Sequence, residues 1–118
     1  MVEQRKAVLI RPPMHCHWGP TDECLRNGRV TRLSTSYQTC FIQTKAQVEL
    51  EQLIFIKLWL PDEFVQSRQF IAHDIMLRGK VVRFLPKVGF GLQFSGLADG
   101  ENELLDMLVD FYQQPPVN

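Results

Sequence analysis

Net charge is the first thing this sequence lacks. Its 118 residues hold 13 Lys and Arg against 13 Asp and Glu. A neutral total argues against DNA as a partner and against electrostatic attachment to a membrane. Long apolar runs are missing as well. The longest, around Leu53–Leu60, contains Lys57 and is far too short to span a bilayer, so no membrane insertion is expected. The opening MVEQRK has no apolar segment behind it, so no secretory leader is expected. Cysteine is scarce: Cys16, Cys24 and Cys40 form an odd set, which fits a reduced, cytoplasmic protein. There is no G-x-S-x-G, no phosphate-binding P-loop and no H-E-x-x-H, so the expectation is a protein that is not an enzyme and needs no cofactor. Internal repeats, low-complexity segments and domain-boundary signals are absent too. Residues 1–118 therefore read as a single domain, long enough to bury one core without staples.

What is present is a series of short β-compatible runs. Lys6–Ile10 stops at Pro12-Pro13, and Met14–Trp18 follows. Gly19-Pro20 opens a polar loop that runs through Asn27-Gly28, a strong turn signal. Arg29–Leu33 alternates weakly, "STSYQ" breaks the chain, and Cys40–Thr44 is β-rich again. "LIFIKLWL" at Leu53–Leu60 is the strongest strand, ended by Pro61-Asp62. Phe70–Leu77, Lys80–Leu85 and Phe90–Phe94 read as three more strands, the last two as a hairpin around Pro86–Gly89. Only the stretch after Asp99 changes period. Leu104, Leu105, Leu108 and Tyr112 recur at helical spacing, Asp99 is placed as N-cap, and Pro115-Pro116 as the stop. Many short strands followed by one amphipathic helix predict a small antiparallel barrel or sandwich with a helix packed on it. Leu58, Val82, Phe94 and Leu108 should be buried.

Charge is unevenly distributed. Arg5, Lys6, Arg11, Arg26, Arg29, Arg32 and Lys45 outnumber Glu3, Asp22 and Glu23 in the first part. Asp99, Glu101, Glu103, Asp106 and Asp110 crowd one helix that has no Lys or Arg. A basic end and an acidic end follow. Glu103, Asp106 and Asp110 are candidates for a negative patch facing a basic partner, against plain solvation of an outer face.

Other residues invite sharper readings. His15-Cys16-His17 with Cys24 suggests a metal or redox site, but no C-x2-4-C spacing accompanies it, and a polar strand edge is the simpler reading. Arg26, Arg29 and Arg32 suggest a phosphate cluster, yet residues three apart in a regular strand face opposite sides. Trp59 reads as core, whereas Trp18 beside Gly-Pro could stand exposed for stacking. Phe84, Phe90 and Phe94 read as core. His73-Asp74 are neighbours in a strand and so diverge.

"LRGKVVRFLPKVGFGLQF" resembles the closing hairpin of PilZ domains, a G-x-V-V-R strand followed by G-F-G-h-x-F, with h apolar. "CFIQTKAQVELEQLIFIKLWLP" is similar to the middle of that family, and a terminal helix is common in it. The likeness covers roughly residues 29–112. It implies a mainly β fold, a six-stranded antiparallel PilZ-like barrel with a C-terminal helix. It also implies a non-catalytic adaptor in bacterial cyclic di-GMP signalling that acts on a protein partner. In the family, R-x-x-x-R and D/N-x-S-x-x-G motifs hold the nucleotide through arginine forks and a tight turn. Here no two arginines stand four apart. The second motif falls on Ser34–Thr39, where Ser36 matches, Ser34 replaces the acid or amide and Thr39 the glycine; a shifted alignment uses Arg32-Leu33-Ser34 instead. The expectation is weak or lost cyclic di-GMP binding. The alternative is a true receptor that uses Arg26, Arg29, Arg32, Ser34 and Ser36.

Overall fold

The computed structural model describes residues 9–10, 14–34, 37–69 and 72–113. Its strands are β1 (Leu9–Ile10), β2 (Met14–Gly19), β3 (Arg26–Ser34), β4 (Thr39–Gln43), β5 (Leu53–Trp59), β6 (Asp74–Leu85) and β7 (Gly89–Phe94). Two helices accompany them, α1 (Asp62–Arg68) and α2 (Asp99–Gln113). Every strand pairing is antiparallel. The pairings of β2 with β3 and β5, β6 with β5 and β7, and β4 with β7 and β3 close six strands into a ring. β1 adds a short pairing to the far part of β3. Closure leaves the six strands of the ring without a free edge.

Period-two alternation builds the interior. In β5, Ile54, Ile56 and Leu58 point inward and are buried, and β6 contributes Ile75, Leu77 and Val81 in the same way. Trp18 meets Phe90 edge to face at 4.9 Å inside the barrel. Leu58, Phe94 and Leu108 are buried as expected. Val82 is not; it is 43% exposed. The cause is a β-bulge between Val81 and Arg83 opposite β7. One extra residue there puts Val82 and Arg83 both outside and turns Phe84 back against the core.

The two tryptophans exchange their expected places. Trp18 is wholly buried and Trp59 is only half-buried on the outer face. Asn27-Gly28 makes no turn; both lie within β3, opposite His17 and Cys16. Gly28 is required there by space. A Cβ would come within 2.9 Å of the Ile42 side chain and of the Trp18 indole, so the buried ring occupies the volume a side chain would need. The turn sits earlier, between Gly19 and Arg26, where Cys24 adopts φ 50°. The two strands expected over Phe70–Leu85 are one, Asp74–Leu85, with Phe70 and Ile71 outside the described residues.

α1 is a helix the sequence reading passed over. It follows Pro61, carries Asp62 and Glu63 in its first turn and Arg68 in its last, and buries Phe64 and Val65. α2 buries Leu105, Leu108 and Val109. Asp99 is its first residue rather than its cap, and Glu101 reaches back to accept the Ala98 N–H at 2.8 Å. The expected stop at Pro115-Pro116 lies outside the described residues. Phe111 on α2 meets Phe64 on α1 edge to face at 5.4 Å, so the two helices pack together.

The registers fix what lies at each end. β5 ends opposite the start of β6, and β7 runs back toward that same side. Both helices follow these ends. The β6–β7 turn, the start of β3 and the end of β4 gather at the opposite side, because Arg29 pairs with Gln43, and Gln43 with Gly89.

Candidate functional site: a basic outer face

A second bulge decides where the arginines point. β3 and β4 pair Val30 with Ile42 and then Arg32 with Phe41, leaving Thr31 as an extra residue. Parity inverts across it, so Val30 and Leu33 both face inward while Arg29 and Arg32 are both exposed. The expectation that residues three apart must diverge assumed a regular strand, and the bulge overturns it. Arg26 is exposed as well but goes elsewhere, with its guanidinium 5.2 Å from the Trp18 ring centre.

Two cross-strand rows result. Arg32 pairs with Phe41, Phe41 with Gly91, and Gly91 with Arg83. Beside this row, His15 pairs with Arg29, Arg29 with Gln43, Gln43 with Gly89, and Gly89 with Leu85. In the first row the Arg32 guanidinium sits 5.8 Å from the Phe41 ring centre. The Phe41 ring lies over Gly89, where a Cβ would meet its edge at 2.8 Å. Gly91 leaves a notch between Phe41 and Arg83. A groove of about 220 Å³ runs along this row between Arg32 and Arg83. It shares Gln43 and Val88 with a larger hollow of about 480 Å³ around Arg29, Lys45 and Lys87. Neither is lined by an Asp or Glu. Among the described residues the only ion pair is Lys80 with Glu51 at 3.2 Å, so these five cations have no carboxylate partner there.

The serines do not join them. Ser34 is 3% exposed, and its Oγ accepts the Tyr37 N–H at 3.4 Å inside the turn. It stands at the helix-covered end; Arg29 faces Gln43 and Ser34 faces Thr39, so the two lie four β4 positions apart, or roughly 13 Å at strand rise. Ser36 lies outside the described residues. Gln38 in this turn donates from its side-chain amide to Asn102 of α2 at 3.3 Å, which ties the turn to the helix. Glu103 and Asp110 are exposed and Asp106 is half-buried; at spacings of three and four they share one side of α2. Sequence reasoning did not pick out Phe41, Lys45, Arg83 and Lys87 as site residues. Each is ordinary in its own segment, and only the registers and the two bulges bring them together.

The histidines and cysteines have other duties. His15 and His17 share the outer face, with ring centres 4.8 Å apart. Their strand is not an edge, since β2 lies between β3 and β5. Trp59 donates its indole N–H to His17 Nδ1 at 2.7 Å. All three cysteines are free and buried. Burial pushes the Cys16 thiol up to about 12, raises Cys40 further and raises Cys24. They are held as neutral thiols, which are weak nucleophiles and weak metal ligands. Among the described residues no group of three or more His, Cys, Asp or Glu is placed to hold a metal ion, and no helix is long and apolar enough to cross a membrane.

No protein-family model matches the sequence, and no curated protein matches it. The fold does have a solved counterpart. The chain is similar to the Bacillus subtilis inhibitor of motility MotI/DgrA, a PilZ-domain protein, with a TM-score of 0.62 and 13% sequence identity. The match covers 94% of this chain and 50% of that one, so the chain spans half the length of the protein it resembles. The closed barrel with its C-terminal helix is PilZ-like.

Proposed function

We propose that this chain is a PilZ-type effector that acts by binding another protein in bacterial cyclic di-GMP signalling, without catalysis and with weak or lost affinity for the nucleotide. The PilZ-like fold supports the general reading. The loss of affinity rests on one observation: Ser34 is buried and its hydroxyl is engaged inside its own turn, away from Arg29. A ligand gripped by both would need the turn rebuilt. The neighbour is named an inhibitor of motility, which makes motility components the first partners to test.

The second reading, a true receptor, draws on the β3 bulge. It sets Arg29 and Arg32 on one face with the Phe41 ring beside them, and arginine forks with a planar ring suit a phosphodiester carrying bases. Isothermal titration with cyclic di-GMP separates the two. Losing about 3 kcal/mol of charged hydrogen bonds should make binding at least ~100-fold weaker than at a well-formed site. Micromolar or tighter binding would overturn the first reading. Arg32→Ala should then abolish it, and Arg26→Ala should leave it nearly intact.

A further inference from the structure

The hollow at the end opposite α2 has its own construction. His15 and Arg29 oppose each other across β2 and β3. Lys45 follows β4, and Lys87 sits in the β6–β7 turn with φ 64°. The Thr44 N–H donates to the Val88 carbonyl at 3.2 Å, and the Val88 N–H to Leu85 at 3.0 Å. These backbone bonds fasten the two lysine-bearing segments together. Three separate parts of the chain thus deliver Arg29, Lys45 and Lys87 to one concavity, with His15, Thr44 and Asn27 as hydrogen-bonding neighbours. Like charges gathered this way repel one another unless an anion sits between them.

We propose that this hollow binds a small phosphorylated molecule through a terminal phosphate group, held by Arg29, Lys45 and Lys87. Three cations match a dianionic phosphate monoester or a pyrophosphate better than a single carboxylate. Arg29 supplies a planar fork, and the lysines supply point charges that adapt to the phosphate's third oxygen. A volume of about 480 Å³ falls in the range of small-molecule sites. The site is separate from the Ser34–Thr39 turn, on which the motif for the cyclic nucleotide falls, and does not depend on that reading.

The test is a titration of the labelled protein with inorganic pyrophosphate, followed by amide chemical shifts against sodium chloride of equal ionic strength. Saturable binding below ~1 mM is expected, a modest affinity on the usual scale. Shifts should concentrate at Asn27–Arg29, Thr44, Lys45, Lys87 and Val88. Lys45→Ala with Lys87→Ala should weaken binding at least ~10-fold, as loss of two charged hydrogen bonds implies, with an unchanged melting curve because both side chains are exposed. Arg32→Ala with Arg83→Ala should leave it within about twofold, since neither lines this hollow. No saturation by ~10 mM, equal binding by the lysine double variant, or shifts centred on residues 34–39 would each overturn the site. Tighter binding of hexaglutamate than of pyrophosphate would also overturn it, by assigning the hollow to an acidic protein segment.

Discussion

Single residues here have meanings that only their neighbours supply. Asn27-Gly28 reads as a turn because that dipeptide tolerates positive φ, yet the glycine is spent on space beneath the Trp18 indole. Gly28→Ala should therefore destabilise the fold by about 1–3 kcal/mol, as overpacking does. Asn27→Ala should stay within ~0.5 kcal/mol, because Trp18 donates to the Asn27 backbone carbonyl at 3.2 Å and not to its side chain. Chemical denaturation of both variants checks this, and equal losses would place the strain elsewhere. The buried thiols give a second expectation. Burial raises the Cys16 pKa from its usual 9.0 to about 12 and raises Cys40 as well. Below pH 9 both folded and unfolded chains keep these protons. Above it the unfolded chain releases them first, so stability falls as pH rises from about 9 toward 12. Cys40→Ala should flatten that decline, whatever it costs at neutral pH. A melting-temperature series across this window gives the slope, and an unchanged slope would remove Cys40 as its source.

At the scale of elements, the sequence is most legible where a pattern is long and regular. β5 and α2 stand where alternation and helical spacing put them, because each buries one continuous face. α1 was illegible because it has only seven residues and buries two adjacent ones, too few to display a period. The flanking Pro61, its acidic first turn and Arg68 were the signals available. Bulges were the other obstacle. They have no residue signature in β3 or β6, yet each reverses which side chains face water, and so exposed Val82 and set Arg29 and Arg32 on one face. The family resemblance carried the barrel correctly because strand order and hairpin spacing survive a bulge, while side-chain direction does not. α2 offers the sharpest element-scale test. Leu108 is fully buried within the common core. Leu108→Ala should cost on the order of 2–5 kcal/mol if α2 folds cooperatively with the barrel. A melting curve that keeps its midpoint would mean that the helix detaches separately.

At the scale of the molecule, neutrality hides two local concentrations of opposite charge among the described residues. Arg29, Lys45 and Lys87 gather where the β6–β7 turn lies, and α2 presents Glu103, Asp106 and Asp110 on the side that follows the opposite strand ends. Of the residues counted toward a basic end, Arg5, Lys6 and Arg11 lie outside the described residues, and the contribution of Arg83 and Lys87 to the basic face came from the register alone. The helix cannot neutralise itself, since it has no basic residue in its last turn or anywhere else. Its acids either keep the surface solvated or guide a basic partner. Exposed charges of this kind act over roughly 8–10 Å at physiological salt and change encounter rates more than residence times. For a partner isolated with the native chain, changing Glu103, Asp106 and Asp110 to Asn should slow association about tenfold at low salt. It should also reduce the salt dependence of that rate and leave dissociation nearly unchanged. Surface-based kinetics at two ionic strengths distinguishes the cases. If association is unaffected, the acids serve solubility and the partner is met elsewhere on the barrel. If dissociation accelerates instead, the helix lies inside the contact, and its half-buried Asp106 is the first side chain to restore singly.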